Sequence, residues 1–123
     1  MTERIEEFTR DGKIFVYIDF SGITSDEDFS ELCEIAGQVI AKYPEQSLYT
    51  ISNIEKVRFD SNTKEIVVNF MQSNKPYVKY GIVIGIDGIK KMMVRSVLKL
   101  SGRANLNFCF TKEEAIDRLL KRE

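Results

Sequence analysis

The sequence predicts a single α/β domain over residues 1–123, with elements in the order ββαβαβαβα. Right-handed crossovers then give a mixed, mostly parallel sheet of five strands packed with four helices. Three observations carry this prediction. The first is the stretch 80–103, YGIVIGIDGIKKMMVRSVLKLSGR, in which Ile82, Val83, Ile84 and Ile86 form an almost unbroken apolar run. Such a run marks a strand with both faces covered. Asp87-Gly88 breaks it, and an amphipathic segment continues to Ser101-Gly102, where glycine suits a helix stop. The second is the same alternation of strand-like and helix-like segments elsewhere, with short connections and no linker, repeat or low-complexity stretch. The third is Asp11-Gly12 between two strand-like runs, a dipeptide suited to a tight type I′ hairpin turn.

Taken in order, residues 3–9 and 13–20 are the hairpin strands. The second, KIFVYIDF, is rich in β-branched and aromatic residues and is expected to be well buried. Ser21-Gly22 ends it. Ser25 opens the first helix with Asp28 three residues on, close to a capping box, and Asp26 and Glu27 suit the positive end of the helix dipole. Phe29, Leu32, Cys33, Ala36, Val39, Ile40 and Tyr43 recur at helical spacing until Pro44. Residues 47–52 make a third strand, and 53–59 a connection with Ile54, Val57 and Phe59 turned inward. Asp60, Ser61, Asn62 and Thr63 are all good cap residues, and Asn62 with Glu65 has capping-box spacing. Ile66, Val67, Phe70 and Met71 form the stripe of the second helix, which Asn74-Lys75-Pro76 ends. Gly81 and Gly85, inside the fourth strand, imply a close approach, by a packed helix rather than a ligand. In the third helix Ile89, Met92, Met93, Val97 and Leu100 share one face. Val94 and Leu98 widen that face beyond one sheet contact, which suggests a dimer partner. Leu106, Phe108 and Phe110 alternate as a fifth strand with Cys109 on its other face. Thr111 and Glu114 cap a last helix carrying Ala115, Ile116, Leu119 and Leu120.

Composition excludes more than it selects. Hydrophobic content of 43% and charged content of 30% are ordinary for a globular protein, and no apolar run approaches a membrane span. The N-terminus is charged from its third residue and is not a signal peptide, so a cytoplasmic protein is expected. Cys33 and Cys109 lie far apart without CxxC spacing, and Cys33 falls within a helix's apolar face, where it reads as a small buried hydrophobe. The chain has no histidine, which removes histidine-based triads, histidine general bases and histidine metal ligands together. No cofactor is implied.

Charge is unevenly spread. Residues 1–34 carry Glu3, Glu6, Glu7, Asp11, Asp19, Asp26, Glu27, Asp28, Glu31 and Glu34 against Arg4, Arg10 and Lys13. Residues 88–112 carry Lys90, Lys91, Arg95, Lys99, Arg103 and Lys112 and no acid. The turn IGIDGIKK, with Gly88, Lys90 and Lys91 beside a helix start, offers an anion contact, although it matches no phosphate-loop motif and Asp87 opposes an anion. Lys91, Arg95, Lys99 and Arg103 recur every four residues along one side of the third helix. A net charge of −1 argues against nucleic acid as the partner of that stripe and favours an acidic protein surface, including that of a second copy.

Three segments resemble the STAS domain of anti-sigma-factor antagonists, which is related to the lipid-binding CRAL-TRIO group. They are DFSGITSDEDFSEL after the hairpin, VRFDSNTKEIVVNF at the second helix, and NFCFTKEEAIDRLL at the close. The resemblance implies a STAS-like fold and a docking surface for a protein partner at the start of the second helix: Asp60, Ser61, Asn62 and Thr63. In that family the second serine of an aspartate-serine-serine-glycine segment is phosphorylated. Asp60 and Ser61 match the first two positions, whereas Asn62 stands at the phosphorylated one and cannot take a phosphate. Ser61 and Thr63 remain as candidate acceptors.

The expectation is thus a non-enzymatic, STAS-like interaction module, homodimeric, with a protein partner at the second helix. The alternative is a binder of a small apolar or anionic ligand, lipid-like or a nucleotide, between sheet and helices.

Overall fold

A computed structural model of the chain describes residues 1–86 and 106–122 and, between them, Met92, Arg95, Ser96, Lys99, Leu100 and Gly102. Residues 2–4 form a short 3-10 turn, so the first strand starts later than its sequence suggested. Asp11 and Gly12 both take left-handed φ, 52° and 78°, as a type I′ turn requires. They fold β1 (Ile5–Arg10) antiparallel onto β2 (Lys13–Asp19). From β2 the chain crosses through α1 (Asp26–Ile40) to β3 (Leu48–Asn53), and through α2 (Ser61–Asn74) to β4 (Val78–Ile84). It ends in β5 (Leu106–Cys109) and α3 (Lys112–Leu120). The sheet runs β1-β2-β3-β4-β5, antiparallel at the first pair and parallel at the other three.

Three α-helices are complete among the described residues. The helix expected between β4 and β5 lies largely outside them, although Met92, Arg95, Ser96, Lys99 and Leu100 are helical. Met92 and Leu100, expected to face inward, are 76% and 60% exposed.

Strand alternation builds a core on each side of the sheet. Val16, Ile18, Leu48, Val78 and Val83 face α1, whose Phe29, Leu32, Cys33, Ala36 and Ile40 are buried, and α2. Phe15, Tyr49, Ile51, Ile82, Ile84 and Cys109 face the other way, against Ala115, Ile116 and Leu119 of α3. β4 is therefore the enclosed inner strand that its apolar run predicted. The two cysteines are free and belong to opposite cores. Burial pushes the Cys33 thiol up to about 12 and also raises that of Cys109, which suits inert thiols.

Two positions correct the sequence reading. Gly85 lies just past β4 with φ +80°, and what approaches it is not a helix but the loop after β3. A Cβ there would meet Asn53 Oδ1 and Glu55 N at 2.7 Å each. Phe110 lies beyond β5 and is 86% exposed instead of continuing the strand's alternation. The last helix is anchored by Lys13, whose ammonium donates to the carbonyls of Leu119 and Leu120 at 3.0 Å each, and to that of Arg122. A cation at a helix C-terminus satisfies carbonyls that have no partner within the helix.

Candidate functional site

The parallel strands deliver their loops to one end of the sheet, where α2 begins. The loop after β3 is fixed by main-chain bonds to both neighbouring strand ends. Phe20 N–H donates to Asn53 C=O, Ile54 N–H to Ile84 C=O, and Gly22 N–H to Glu55 C=O. Ile54 and Val57 are buried, as expected of this connection, and Phe59 packs against the core. Lys56 at φ 59° turns the chain. The loop thus hands over to α2 from a fixed position.

Asp60 caps α2. Its Oδ1 accepts from the N–H groups of Asn62 and Thr63, both at 3.0 Å. Thr63 completes the capping box by accepting from Asp60 N–H at 3.4 Å. The box is therefore Asp60 with Thr63 and not Asn62 with Glu65, because the extended backbone of Asp60 brings its carboxylate over the first turn. Thr63 turns inward and is 1% exposed. Its Oγ1 lies 2.9 Å from Asp26 Oδ1, at the start of α1, and 3.0 Å from Asp60 Oδ1. One hydroxyl proton serves those two carboxylates in turn. The starts of α1 and α2 are in this way tied through a buried side chain.

The Thr63 N–H and hydroxyl hold the Asp60 carboxyl below the usual aspartate range, with smaller help from Arg58 and the Asn62 N–H. Arg58 Nη2 lies 3.2 Å from Asp60 Oδ2, and both side chains remain largely accessible. Ser61 and Asn62 are exposed. Of the four residues singled out in the sequence, Ser61 and Asn62 thus expose polar side chains, Asp60 is shared between cap and surface, and Thr63 lies behind them. Arg58 and Asp26 join the cluster. Asp26 was legible only as a helix-dipole acid, since nothing in its own neighbourhood announces a contact 37 residues away.

Of the residues singled out for an anion or acidic-partner contact, Arg95 and Lys99 are exposed, whereas Gly88, Lys90 and Lys91 lie outside the described residues. They are not placed relative to Asp60.

A cavity of about 70 Å³ lies beneath α1 and α2 on the sheet, walled by Phe20, Phe29, Ile54, Val67, Phe70 and Met71. Thr50 and Ser52 of β3 and Asn74 at the end of α2 add polar groups to this apolar wall. Sequence reasoning passed over Thr50 and Ser52, although two hydroxyl residues at period two in a central strand were the available signal. Among the described residues no group of three or more acidic or cysteine side chains is placed to hold a metal ion, and no helix is long and apolar enough to cross a membrane.

No known family model matches the chain, and no curated protein matches it. Solved structures do. An uncharacterised protein of the DUF3478 family with a SpoIIAA-like fold, from Shewanella loihica, aligns over 94% of this chain and 91% of its own at 16% identity and a TM-score of 0.68. The anti-sigma factor antagonist SpoIIAA in its unphosphorylated form aligns over 97% and 98% at 20% identity and 0.61. An anti-sigma-factor antagonist (STAS) domain protein from Planctomyces limnophilus aligns over 94% and 97% at 8% identity and 0.59. The fold is STAS-like.

Proposed function

We propose that this STAS-like domain is a non-enzymatic regulatory module, cytoplasmic and homodimeric, whose protein partner docks on the first turn of α2. Asp60, Ser61 and Asn62 form the contact, and Thr63 holds them in place from the interior. The observation that carries this reading is an exposed polar helix start whose backbone is fixed from inside by a capping box and a cross-helix hydrogen bond. The likeness in fold to anti-sigma factor antagonists supports a protein as the partner.

Of the two candidate phosphoacceptors, exposed Ser61 is the one a kinase can reach, since Thr63 is enclosed. A phosphate on Ser61 would add roughly two negative charges beside Asp60 and make the docking surface strongly negative. Affinity capture with wild type, Ser61→Glu and Asn62→Lys tests the reading. Loss of a defined partner from both variants, with the fold intact by circular dichroism, is the expected result. An identical set of captured proteins on all three would contradict it.

The cavity favours a second reading, a small ligand between sheet and helices. Thr50, Ser52 and Asn74 would orient a polar end within an otherwise apolar wall. At about 70 Å³ the space suits a very small molecule unless α2 moves outward. Native mass spectrometry separates the two readings, because only the second predicts a non-covalent adduct on the purified chain.

A further inference from the structure

Between α1 and α2, on the side away from the sheet, a groove runs along the surface as two adjoining hollows of about 280 and 380 Å³. Cys33, Glu34 and Ser73 line both hollows. Its α1 wall is low because Gly37 sits in it, and a Cβ at that position would meet nothing within 4 Å. From Ser30 to Ala41 the wall is roughly 16 Å long at 1.5 Å per residue. Its α1 side is acidic: exposed Glu34 lines both hollows, and α1 also carries Asp26, Glu27, Asp28 and exposed Glu31 outside the lining, with no base.

The same chain presents a complementary shape. The helical residues Met92, Arg95, Ser96, Lys99 and Leu100 fall within an arc of about 140° at 100° per residue, so they share one face. Four of the five are exposed, Met92 at 76% and Leu100 at 60%. Two apolar side chains thus flank two cations along roughly 12 Å of helix, which fits within the groove. An anionic membrane is the other surface such a face could meet, but the acidic α1 helix of the same molecule opposes it.

We propose that the groove between α1 and α2 of one copy receives the Met92, Arg95, Lys99 and Leu100 face of a second copy. Leu100 and Met92 enter over Gly37 and Cys33, while Arg95 and Lys99 meet Glu31 and Glu34 at the rim. This rests on the reading of the chain as a homodimeric interaction module and names the surfaces involved.

The test uses sedimentation velocity of the full chain over a concentration series. Wild type is expected to self-associate, and Arg95→Glu/Lys99→Glu and Glu31→Lys/Glu34→Lys each to weaken association at least ~10-fold. An equimolar mixture of the two variants is expected to associate again, since each then meets an opposite charge. Gly37→Leu, which fills the groove at a helix-compatible site, is expected to abolish association. A wild type that stays monomeric overturns the proposal, as does self-association that none of these variants alters. Capture of the monomer by anionic vesicles would overturn it in favour of a membrane surface. Ser61→Glu should leave self-association unchanged, so failure of the partner site on α2 is read separately.

Discussion

Thr63 couples two helices through one hydroxyl, and its worth can be measured. Replacement by valine keeps the shape and removes the bonds to Asp26 and Asp60, leaving the Asp60 N–H without its side-chain acceptor. Thr63→Val is expected to lower unfolding free energy by about 1–3 kcal/mol in denaturant titrations, the usual cost of buried polar groups losing partners. An unchanged midpoint would mean that the cross-helix tie contributes nothing. Asp60 adds a pH dependence of known sign. Its carboxyl is held below the usual range in the folded state, so the stability it supplies is complete above the ordinary aspartate value. That stability is lost as pH falls through the lowered value. Asp60→Asn keeps a competent cap without the titration. Acid-induced loss of amide protection in the first turn of α2 should therefore shrink in the variant, and an identical acid profile would contradict the assignment.

At the level of elements, the loop after β3 is where sequence and structure part most instructively. The strand β4 was plain from its apolar run, because enclosure on both faces leaves a compositional mark that no neighbour is needed to read. Helix starts were plain too: Ser25 and Thr111 cap α1 and α3 as their spacing suggested, accepting from Asp28 and Glu114 N–H at 3.2 and 3.1 Å. Gly85 was visible as an oddity, but what approaches it is the Asn53 side chain and the Glu55 backbone, 30 or more positions earlier, and no local pattern encodes that. The Asp60–Thr63 box was missed for a related reason, since four consecutive cap-forming residues leave the choice to backbone direction. Gly85→Ala places a methyl against the loop main chain at 2.7 Å while the backbone keeps a left-handed φ. A loss of at least about 2 kcal/mol is expected, with faster amide exchange at Ile54 and Glu55. Wild-type stability in this variant would show that the close approach is not needed. At the far edge of the sheet, Phe108 N–H donates to Asn107 Oδ1 and Phe108 C=O accepts from Arg118 at 3.3 Å. Both main-chain groups are occupied by side chains, which blunts this edge strand against further pairing.

For the whole molecule, a STAS-like sheet with α1 and α2 on one side and α3 on the other brings the loops of three parallel strands to the end where α2 starts. The order of strands and helices could be read from periodicity, whereas the assignment of a docking surface came from a resemblance in three short segments. The structure adds what those segments cannot hold: which polar residues at the α2 start face outward and what keeps them there. The account stands most directly on the claim that a protein partner seats on that turn. A photo-crosslinking residue at Asn62, with one at exposed Gln72 of the same helix as control, reports contact at each position in the living cell. A discrete protein adduct at position 62 and none at position 72 is the predicted result. No adduct at 62, or the same adduct at both positions, would contradict it.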